Sequence, residues 1–349
     1  MRRWTRRAVA GLAAVLLFLP LYSCRGETNS GKVDTIKIGV AVYRKDDTFI
    51  ASLAGYLEQI AKKKELESGK KIVLNIVDAQ SSQALQNDQV DSFISHNYDV
   101  ICVNEVDRTA SAVIVNKAKA ANIPLIFFNR EPVEEDIRMW SHAYYVGADA
   151  AQSGRLQGEI VVNAWKKDKT LDKNGDGKLQ YVMLEGEQDH QDALLRTEYS
   201  LKAITGAGIH VEKLGDDIAN WQRAQAASKM TQWLQKYGSR IEVVLANNDD
   251  MALGAIDAIT AQNMESKPIV LGIDATQQGL KAIDNGTMFG TVFNDAIGQA
   301  QAIFDLSYSY ATGGTPGSAM KMQSGRYVRV PYRVVTKENY QDILDYLRS

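Results

Sequence analysis

Short runs rich in Val and Ile alternate along this chain with longer segments of helical period, and that alternation constrains the fold more than any other feature. Ten runs predict strands: TIKIGVAVY, KIVLNIVDA, DVICVNEV, IPLIFFN, AYYVGAD, QYVMLEGE, GIHVEKLG, IEVVLANND, KPIVLGID and FGTVFND. Most are continuously apolar, as parallel strands covered by helices on both faces are. Seven amphipathic segments between them predict helices, so we expect parallel sheets built from βαβ units. Ten strands exceed what one doubly wound sheet usually holds, which predicts two similar α/β lobes.

The N-terminus has the pattern of an export signal. Four arginines precede an apolar run at residues 8–21, which is shorter than the roughly 20 residues of a membrane-spanning helix. We interpret residues 1–23 as a signal peptide. LYSC at residues 21–24 resembles a lipobox and predicts that Cys24 carries lipid, with an unlipidated signal peptide cut nearby as the alternative. Residues 24–35 are then a flexible tether to a membrane surface.

The charge and the cysteine content further narrow the class of protein. Removing the four arginines from the 40 Lys and Arg leaves 36 basic residues against 42 acidic ones, which gives no reason to expect a nucleic-acid partner. With Cys24 lipidated, Cys102 stands alone in an apolar run. We therefore predict no disulfide within the chain and a buried, inert thiol, and we expect a monomer.

Polar and aromatic side chains follow several predicted strands at the point where each strand ends. In open parallel sheets, ligands bind beyond the carboxyl ends of the strands. The candidates are Asp47, Phe49, Asn129, His190, Asp192, Arg196, Trp221, Asn248, Asp274 and Asn294. Their carboxylates, amides and guanidinium can bind many hydroxyl groups, and the two aromatic residues offer flat faces to the C–H side of a ring. The set favours one polar, uncharged ligand, such as a sugar.

Other interpretations fit the same residues taken singly. Asp192 and Arg196, four residues apart, are also typical of a surface ion pair, and Asn248 is typical of a helix N-cap. His190 is equally typical of a loop, and Phe49 of a core. Paired carboxylates also fit a glycoside hydrolase, although the sequence has no GxSxG, Walker or HExxH motif.

The segment DKNGDGKLQ has the spacing of a calcium-binding loop. Its oxygens would come from the side chains of Asp172, Asn174, Asp176 and Gln180 and from the main-chain carbonyl of Lys178. Met183 occupies the position where an EF-hand has its glutamate, so a remote carboxylate must complete the shell. A strand follows the loop instead of a helix, which favours a structural clip over a switch. A solvent-exposed Asp/Asn/Gly turn is the alternative.

Several blocks of sequence, taken in order, resemble one family. They are IGVAVYRKDDTF, IPLIFFNREP, AYYVGAD, DKNGDGKLQYVMLEGE, HQDALLRTEY, IEVVLANNDDMALGA, LGIDA and GTVFNDA. The chain from about residue 36 to about residue 346 resembles the periplasmic galactose/glucose-binding proteins. These are solute receptors of the methyl-galactoside ABC transporter and, in some bacteria, of sugar chemotaxis.

The resemblance implies a periplasmic binding protein type I fold, in which two Rossmann-like lobes are joined by three crossing segments and enclose a monosaccharide. It assigns residues 36–147 and 296–328 to an N-terminal lobe and residues 148–295 and 329–349 to a C-terminal lobe with the calcium site. It also implies a periplasmic receptor, not an enzyme, that delivers D-galactose or D-glucose to a membrane permease, with a chemoreceptor as a further partner. Together with the lipobox, this predicts a lipid-anchored receptor.

The resemblance also implies roles for individual residues. Phe49 and Trp221 would sandwich the pyranose, and the other eight strand-end candidates would hold its hydroxyls and ring oxygen. Asp47 would serve the hydroxyl that distinguishes glucose from galactose. Glu242, at the start of a strand, would complete the structural Ca²⁺ shell. Gln191 replaces the family's proline, which loosens a turn without removing a ligand group.

A rival class shares this fold, namely the sugar-sensing core of a transcriptional repressor. The signal peptide and the lack of a basic helix-turn-helix at the N-terminus argue against a repressor. A receptor that serves a membrane sensor instead of a transporter stays open.

Overall fold

The computed structural model describes residues 35–315 and 320–348. The signal peptide, Cys24 and residues 25–34 of the tether lie outside the described residues. Thr35, which we expected to end the tether, instead begins the first strand. No helix within the described ranges combines the length and the apolar character that a membrane crossing needs.

The strands of the described residues form two six-stranded sheets. The strands are β1 (Thr35–Val42), β2 (Lys71–Asp78), β3 (Val100–Val103), β4 (Leu125–Phe128), β5 (Ala143–Gly147), β6 (Lys178–Glu185), β7 (His210–Ile218), β8 (Val243–Ala246), β9 (Ile269–Leu271), β10 (Gly290–Phe293), β11 (Tyr327–Arg329) and β12 (Arg333–Thr336). The first sheet has the order β11-β5-β4-β3-β1-β2 and is parallel throughout. The second has the order β12-β10-β9-β8-β6-β7, with only β12 antiparallel among its pairs.

Helices pack on both faces of each sheet. They are α1 (Thr48–Ser68), α2 (Gln83–Ser95), α3 (Ser111–Ala121), α4 (Glu134–Ile137), α5 (Ala150–Lys167), α6 (Gln191–Gly206), α7 (Arg223–Tyr237), α8 (Asp249–Ala261), α9 (Gln277–Asp284), α10 (Ala296–Ala311) and α11 (Tyr340–Arg348). Each lobe therefore has two apolar layers, one on each side of its sheet. The predicted two-lobed α/β fold is confirmed.

The chain passes between the lobes three times. β5 leads into α5, β10 leads into α10, and β11 leads into β12, so the crossing segments are residues 148–149, 294–295 and 330–332. Arg329, which we assigned to the C-terminal lobe, instead ends a strand of the N-terminal lobe, because β11 pairs with β5 up to Gly147.

The helix after the first crossing fixes part of the interlobe region. α5 packs closely on α6 because small residues face it, and a Cβ at Gly154 would lie 2.7 Å from the main-chain oxygen of Arg196. Any larger residue at Gly154 would push the two helices apart. The position of Arg196 is therefore tied to the helix that starts at the crossing.

Candidate functional site

One cavity between the lobes brings together all ten strand-end candidates. Its lining residues are Tyr43, Asp47, Phe49, Asn129, His190, Asp192, Arg196, Trp221, Asn248, Asp274 and Asn294. We call it the cleft cavity. The first four residues belong to the N-terminal lobe, the next six to the C-terminal lobe, and Asn294 to the second crossing segment. Any enclosed ligand therefore contacts both lobes at once.

Three of these side chains also cap helices, so the N-cap interpretation and the cavity interpretation both hold. Asp47 accepts a hydrogen bond of 2.9 Å from the N–H of Ile50, and Asn248 accepts one of 3.0 Å from the N–H of Met251. His190 Nδ1 accepts from the N–H two residues later, at 3.1 Å. Capping satisfies an otherwise unpaired helix donor and holds each side chain in one orientation.

The charged centre of the cleft cavity is Arg196. Its side chain is 5% exposed and lies 3.5 Å from Asp192 and 3.9 Å from Asp274, so the surface ion pair interpretation is wrong. Its guanidinium also donates to the main-chain oxygen of Asn247 at 2.7 Å and to the Tyr332 hydroxyl at 3.1 Å. Burial raises the pKa of Asp192 and of Asp274, and Arg196 opposes both shifts. One cation shared by two carboxylates leaves no positive charge for an anionic ligand.

His190 is a neutral hydrogen-bonding group in this cavity. Burial lowers the pKa of its imidazole well below the usual value, and the nearby cations of Arg130 and Arg196 lower it further. Because Nδ1 accepts a hydrogen bond, the ring proton resides on Nε2. His190 therefore presents an N–H donor and adds no positive charge to the site.

Three cavity residues have left-handed backbone conformations that side chains rarely adopt. The φ angles are +61° at Asn129, +64° at Trp221 and +122° at Asp274. Such strain costs roughly 1–3 kcal/mol per residue and concentrates at ligand sites. Gly186 makes room for the Trp221 indole, because a Cβ there would lie 2.1 Å from the ring.

Two supporting residues of the cleft cavity were not predicted. Tyr43 directly follows β1, and its hydroxyl donates to Asp47 Oδ2 at 2.7 Å. Asn104 directly follows β3, and its amide donates to Asn129 Oδ1 at 3.1 Å. Both stand at strand ends, so the rule that identified the other residues could have found them.

The lobes also touch each other directly beside the cavity. The Thr48 hydroxyl of the N-terminal lobe donates to Asp250 Oδ2 of the C-terminal lobe at 2.5 Å. Arg130 Nη2 donates to Glu187 Oε2 across the same gap, at 2.6 Å. These contacts must break before a ligand enters or leaves, so the structure has the closed arrangement.

The predicted calcium loop, which we call the acidic loop and define as residues 172–180, lies within the C-terminal lobe. Glu242 meets it there, because its carboxylate accepts from the N–H of Lys173 at 2.7 Å and from the N–H of Gln180 at 2.9 Å. Asp172 Oδ2 accepts from the N–H of Gly177 at 2.9 Å, which closes the turn. The remote carboxylate that the resemblance implied is therefore at the loop.

The oxygen groups of the acidic loop fit a calcium ion. Gln180 Oε1 is buried and has no hydrogen-bond partner among the described residues, so nothing holds this amide with its oxygen turned away from Asp176. The amide nitrogens of Asn174 and Gln180 donate to Asp176. Rotating either amide group by half a turn would direct its oxygen toward Asp176 instead, where a cation could bind both oxygens. Within residues 35–315 and 320–348 no three His, Cys, Asp or Glu side chains form a metal cluster, so the fit depends on amide and main-chain oxygens as well.

Comparisons with known proteins agree with this architecture. Residues 38–315 match the family model for the periplasmic binding protein domain. The chain is 37% identical over 334 residues to the D-galactose/methyl-galactoside binding periplasmic protein MglB of Haemophilus influenzae, covering 95% of this chain and 98% of that protein. It is 33% identical to a putative rhizopine-binding protein of Rhizobium meliloti, covering 96% and 97% of the two chains.

A solved structure extends the likeness to three dimensions. An ABC transporter solute binding protein of Bacillus halodurans with bound myo-inositol superimposes with a TM-score of 0.74 at 31% identity, covering 90% of this chain and 99% of that one. The chain belongs to the periplasmic binding protein family. Within that family it is a solute-binding protein and not an enzyme.

Proposed function

We propose that this solute-binding protein captures D-glucose and D-galactose in the periplasm and delivers them to the permease of an ABC transporter. Its role as a sugar-binding component of such a transporter follows from its family and its relatives. The observation that carries the choice of a hexose is the cleft cavity, where charged and amide groups from both lobes converge with the aromatic side chains of Phe49 and Trp221.

The chemistry of the cleft cavity suits a neutral, hydroxyl-rich ring. Carboxylates accept hydrogen bonds from hydroxyls, the guanidinium and the imidazole N–H donate to them, and the amides do both. An anionic sugar would meet Asp47, Asp192 and Asp274 with only Arg196 to balance them. An uncharged ligand without hydroxyls would leave these buried groups unpaired, at about 1–3 kcal/mol each.

We propose that Asp47 allows the protein to accept either of the two epimers, D-glucose and D-galactose. Its Oδ1 caps α1 and its Oδ2 accepts from Tyr43, so the carboxylate is held rigidly at the cavity. Two oxygens offer about four lone-pair directions, which lets one carboxylate receive an axial or an equatorial hydroxyl. The galactose named for the Haemophilus influenzae relative supports this choice, and the myo-inositol bound to the Bacillus halodurans protein defines the competing ligand.

Calorimetric titration of sugar-stripped protein tests the ligand. The panel is D-glucose, D-galactose, myo-inositol and D-ribose, with Asp47→Ala as the variant. We expect one-to-one heat with the two hexoses and little with ribose, and Asp47→Ala should weaken both hexoses. Strong heat with myo-inositol and none with the hexoses would contradict the proposal and assign a polyol to the same cavity.

We also propose that Ca²⁺ binds the acidic loop through Asp172, Asn174, Asp176, Gln180, Glu242 and the carbonyl of Lys178. A bound ion would join a surface turn to the start of β8 and stabilise only the folded lobe. The buried, unpartnered Gln180 Oε1 supports this proposal.

The anchor and the signalling partner are further proposals from the sequence. Lipidation of Cys24 is tested by metabolic labelling with a fatty acid, where Cys24→Ala should lose both label and membrane association.

A chemoreceptor partner is tested by swimming assays in galactose gradients with and without this protein. Unchanged chemotaxis in its absence would exclude that partner.

A further inference from the structure

An ion pair outside the cleft cavity joins the two lobes. Glu187 lies just beyond β6 in the C-terminal lobe, and Arg130 lies just beyond β4 in the N-terminal lobe. Glu187 Oε2 accepts from Arg130 Nη2 at 2.6 Å, and Glu187 Oε1 lies 3.7 Å from Nη1 of Arg44. The side chains of Arg130, Arg44 and Glu187 are 9%, 17% and 27% exposed, so water screens these contacts only in part.

Arg130 is held in place by its own lobe. Its Nη1 donates to the main-chain oxygen of Val106 at 2.9 Å, and its guanidinium stacks 3.8 Å above the centre of the Tyr43 ring. A guanidinium fixed by stacking and by a main-chain bond loses little further freedom when a carboxylate meets it. The N-terminal lobe therefore presents a preformed cationic site that donates to Glu187.

Neither partner of this ion pair lines the cleft cavity. Arg130 and Glu187 border instead a neighbouring cavity at the lobe interface, together with His190 and Asp189. The pair therefore forms when the lobes meet, whichever solute is enclosed. Among the described residues, Thr48 and Asp250 make a second direct hydrogen bond between the lobes.

We propose that Glu187 is a closure residue that contacts no sugar and instead sets how long the lobes stay shut. Its carboxylate receives Arg130 and Arg44 only when the lobes meet, so it favours the closed state over the open one. A residue that acts on closure shifts the affinity of every ligand by the same factor. It should change the dissociation rate and leave the preference between glucose and galactose untouched. The choice of these sugars rests on the proposed function, but the closure role does not.

The main experiment compares Glu187→Gln with Asp189→Asn by stopped-flow dissociation of D-glucose and of D-galactose. Asp189 is exposed, borders the same cavity, and has no ion pair within the described ranges, so its variant makes the same change in net charge without breaking the contact. Glu187→Gln should release both sugars about tenfold faster, whereas Asp189→Asn should match the wild type. Rising salt should speed release from the wild type more than from Glu187→Gln.

A ligand-free measurement separates this proposal from the choice of sugar. Spin labels at exposed Lys62 on α1 and exposed Lys202 on α6, each introduced through cysteine, report the distance between the lobes in the absence of any solute. The Glu187→Gln variant should show a smaller closed population than the wild type. Equal populations, or equal release rates for Glu187→Gln and Asp189→Asn, would overturn the closure role. A changed glucose-to-galactose ratio would also overturn it, because it would place Glu187 in ligand selection.

Discussion

The cleft cavity and the acidic loop are two groups of oxygen ligands built in opposite ways. The cleft cavity collects side chains from the ends of many strands in both lobes, and its central groups, such as Arg196 and Asp274, are buried. The acidic loop takes five of its six candidate ligands from nine consecutive residues, most of them exposed, and adds only Glu242 from elsewhere. The first group depends on the relative position of two lobes, and the second on one local turn.

The pKa shifts of the carboxyl groups also differ between the two regions. In the cleft cavity, burial raises the pKa of Asp274 and Asp192, since desolvation outweighs the attraction of Arg196. In the acidic loop, the main-chain N–H of Lys178 lowers the pKa of exposed Asp176. A ligand enclosed by two lobes must therefore compensate buried charge, whereas a surface loop keeps its charges hydrated until an ion arrives.

The largest expected difference lies in sugar affinity. Asp274→Asn removes a buried charged acceptor and should weaken hexose binding by about 3 kcal/mol, or more than 100-fold. The matched change in the acidic loop, Asp172→Asn, should leave the sugar dissociation constant within about twofold. Calorimetry on both variants checks this, and an equal loss in the two would show that the sites are coupled.

Removal of calcium should produce the next largest effect, this time on stability alone. At a calcium concentration near 100 times the dissociation constant, the ion would add roughly 2–3 kcal/mol to the free energy of unfolding. A chelator should therefore lower the melting temperature of the wild type by several degrees and leave sugar affinity at 25 °C unchanged. Glu242→Gln should melt low with or without chelator. An unchanged wild-type melting temperature would contradict the calcium proposal.

Two glycine substitutions, each with an expected effect of about 1–2 kcal/mol, should act on the two regions independently. Gly186→Ala forces the Trp221 indole aside and should lower sugar affinity by about tenfold. Gly177 has a φ of +74° in open space, so Gly177→Ala should cost about 1 kcal/mol of stability and weaken the response to calcium. Gly55 lies on α1, and a Cβ there would meet no atom within 4 Å. Gly55→Ala is therefore the control and should change neither sugar affinity nor the response to calcium. A change of sugar affinity in Gly177→Ala would contradict the separation.

The smallest expected difference, taken per pH unit, is in pH dependence, which we predict from Asp249, the neighbour of Asn248 in the cleft cavity. Burial raises the pKa of this carboxyl to about 7, although hydrogen bonds from Thr291 and Thr276 lower it. Its stabilising contribution is complete below the unfolded pKa near 3.9 and is lost as pH rises through about 7. The free energy of unfolding should fall by about 1 kcal/mol per pH unit from this group between pH 5 and pH 7.

Denaturant titrations in chelator at pH 5, 6 and 7 check that prediction, with Asp249→Asn reducing the slope. For Asp176 the sign is opposite. Its pKa is lowered, so its contribution is present above the unfolded pKa and is lost as pH falls through the folded value. Asp176→Asn should therefore lower stability near neutral pH and match the wild type in acid, where the contribution of this carboxylate is already lost. Equal slopes for the wild type and Asp249→Asn would show that Asp249 stays charged when buried.

Among the described residues, the sequence predicted ten of the strands and seven of the helices, and it missed β11, β12, α2, α4, α9 and α11. All ten predicted strands are present, but β11 and β12 have three and four residues and pair only because the chain returns to each sheet. The buried residues of α2 include Gln86, so its apolar period is weak. The register of such short elements depends on packing between distant segments, which no local pattern contains.

The same limit applies to the site. The strand-end rule located ten cavity residues because the ends of parallel strands converge at one edge of each sheet. It could not show that Arg196 lies between two carboxylates, because that depends on packing between distant segments of the C-terminal lobe. Nor could it show that Glu187 meets Arg130, because that depends on how the lobes approach each other. The sequence pattern predicted ten residues that line the cleft cavity, and the structure showed which residues they contact.

The three crossing segments also bear on how the protein is made. α10 packs against α1, and β11 pairs with β5, so neither the core nor the sheet of the N-terminal lobe is complete until residue 329 has left the ribosome. The lobe translated first is therefore finished after nearly all of the other lobe has been synthesised. For a chain exported through a narrow channel, this late completion delays folding of the N-terminal lobe and keeps the polypeptide in a form that can still be threaded.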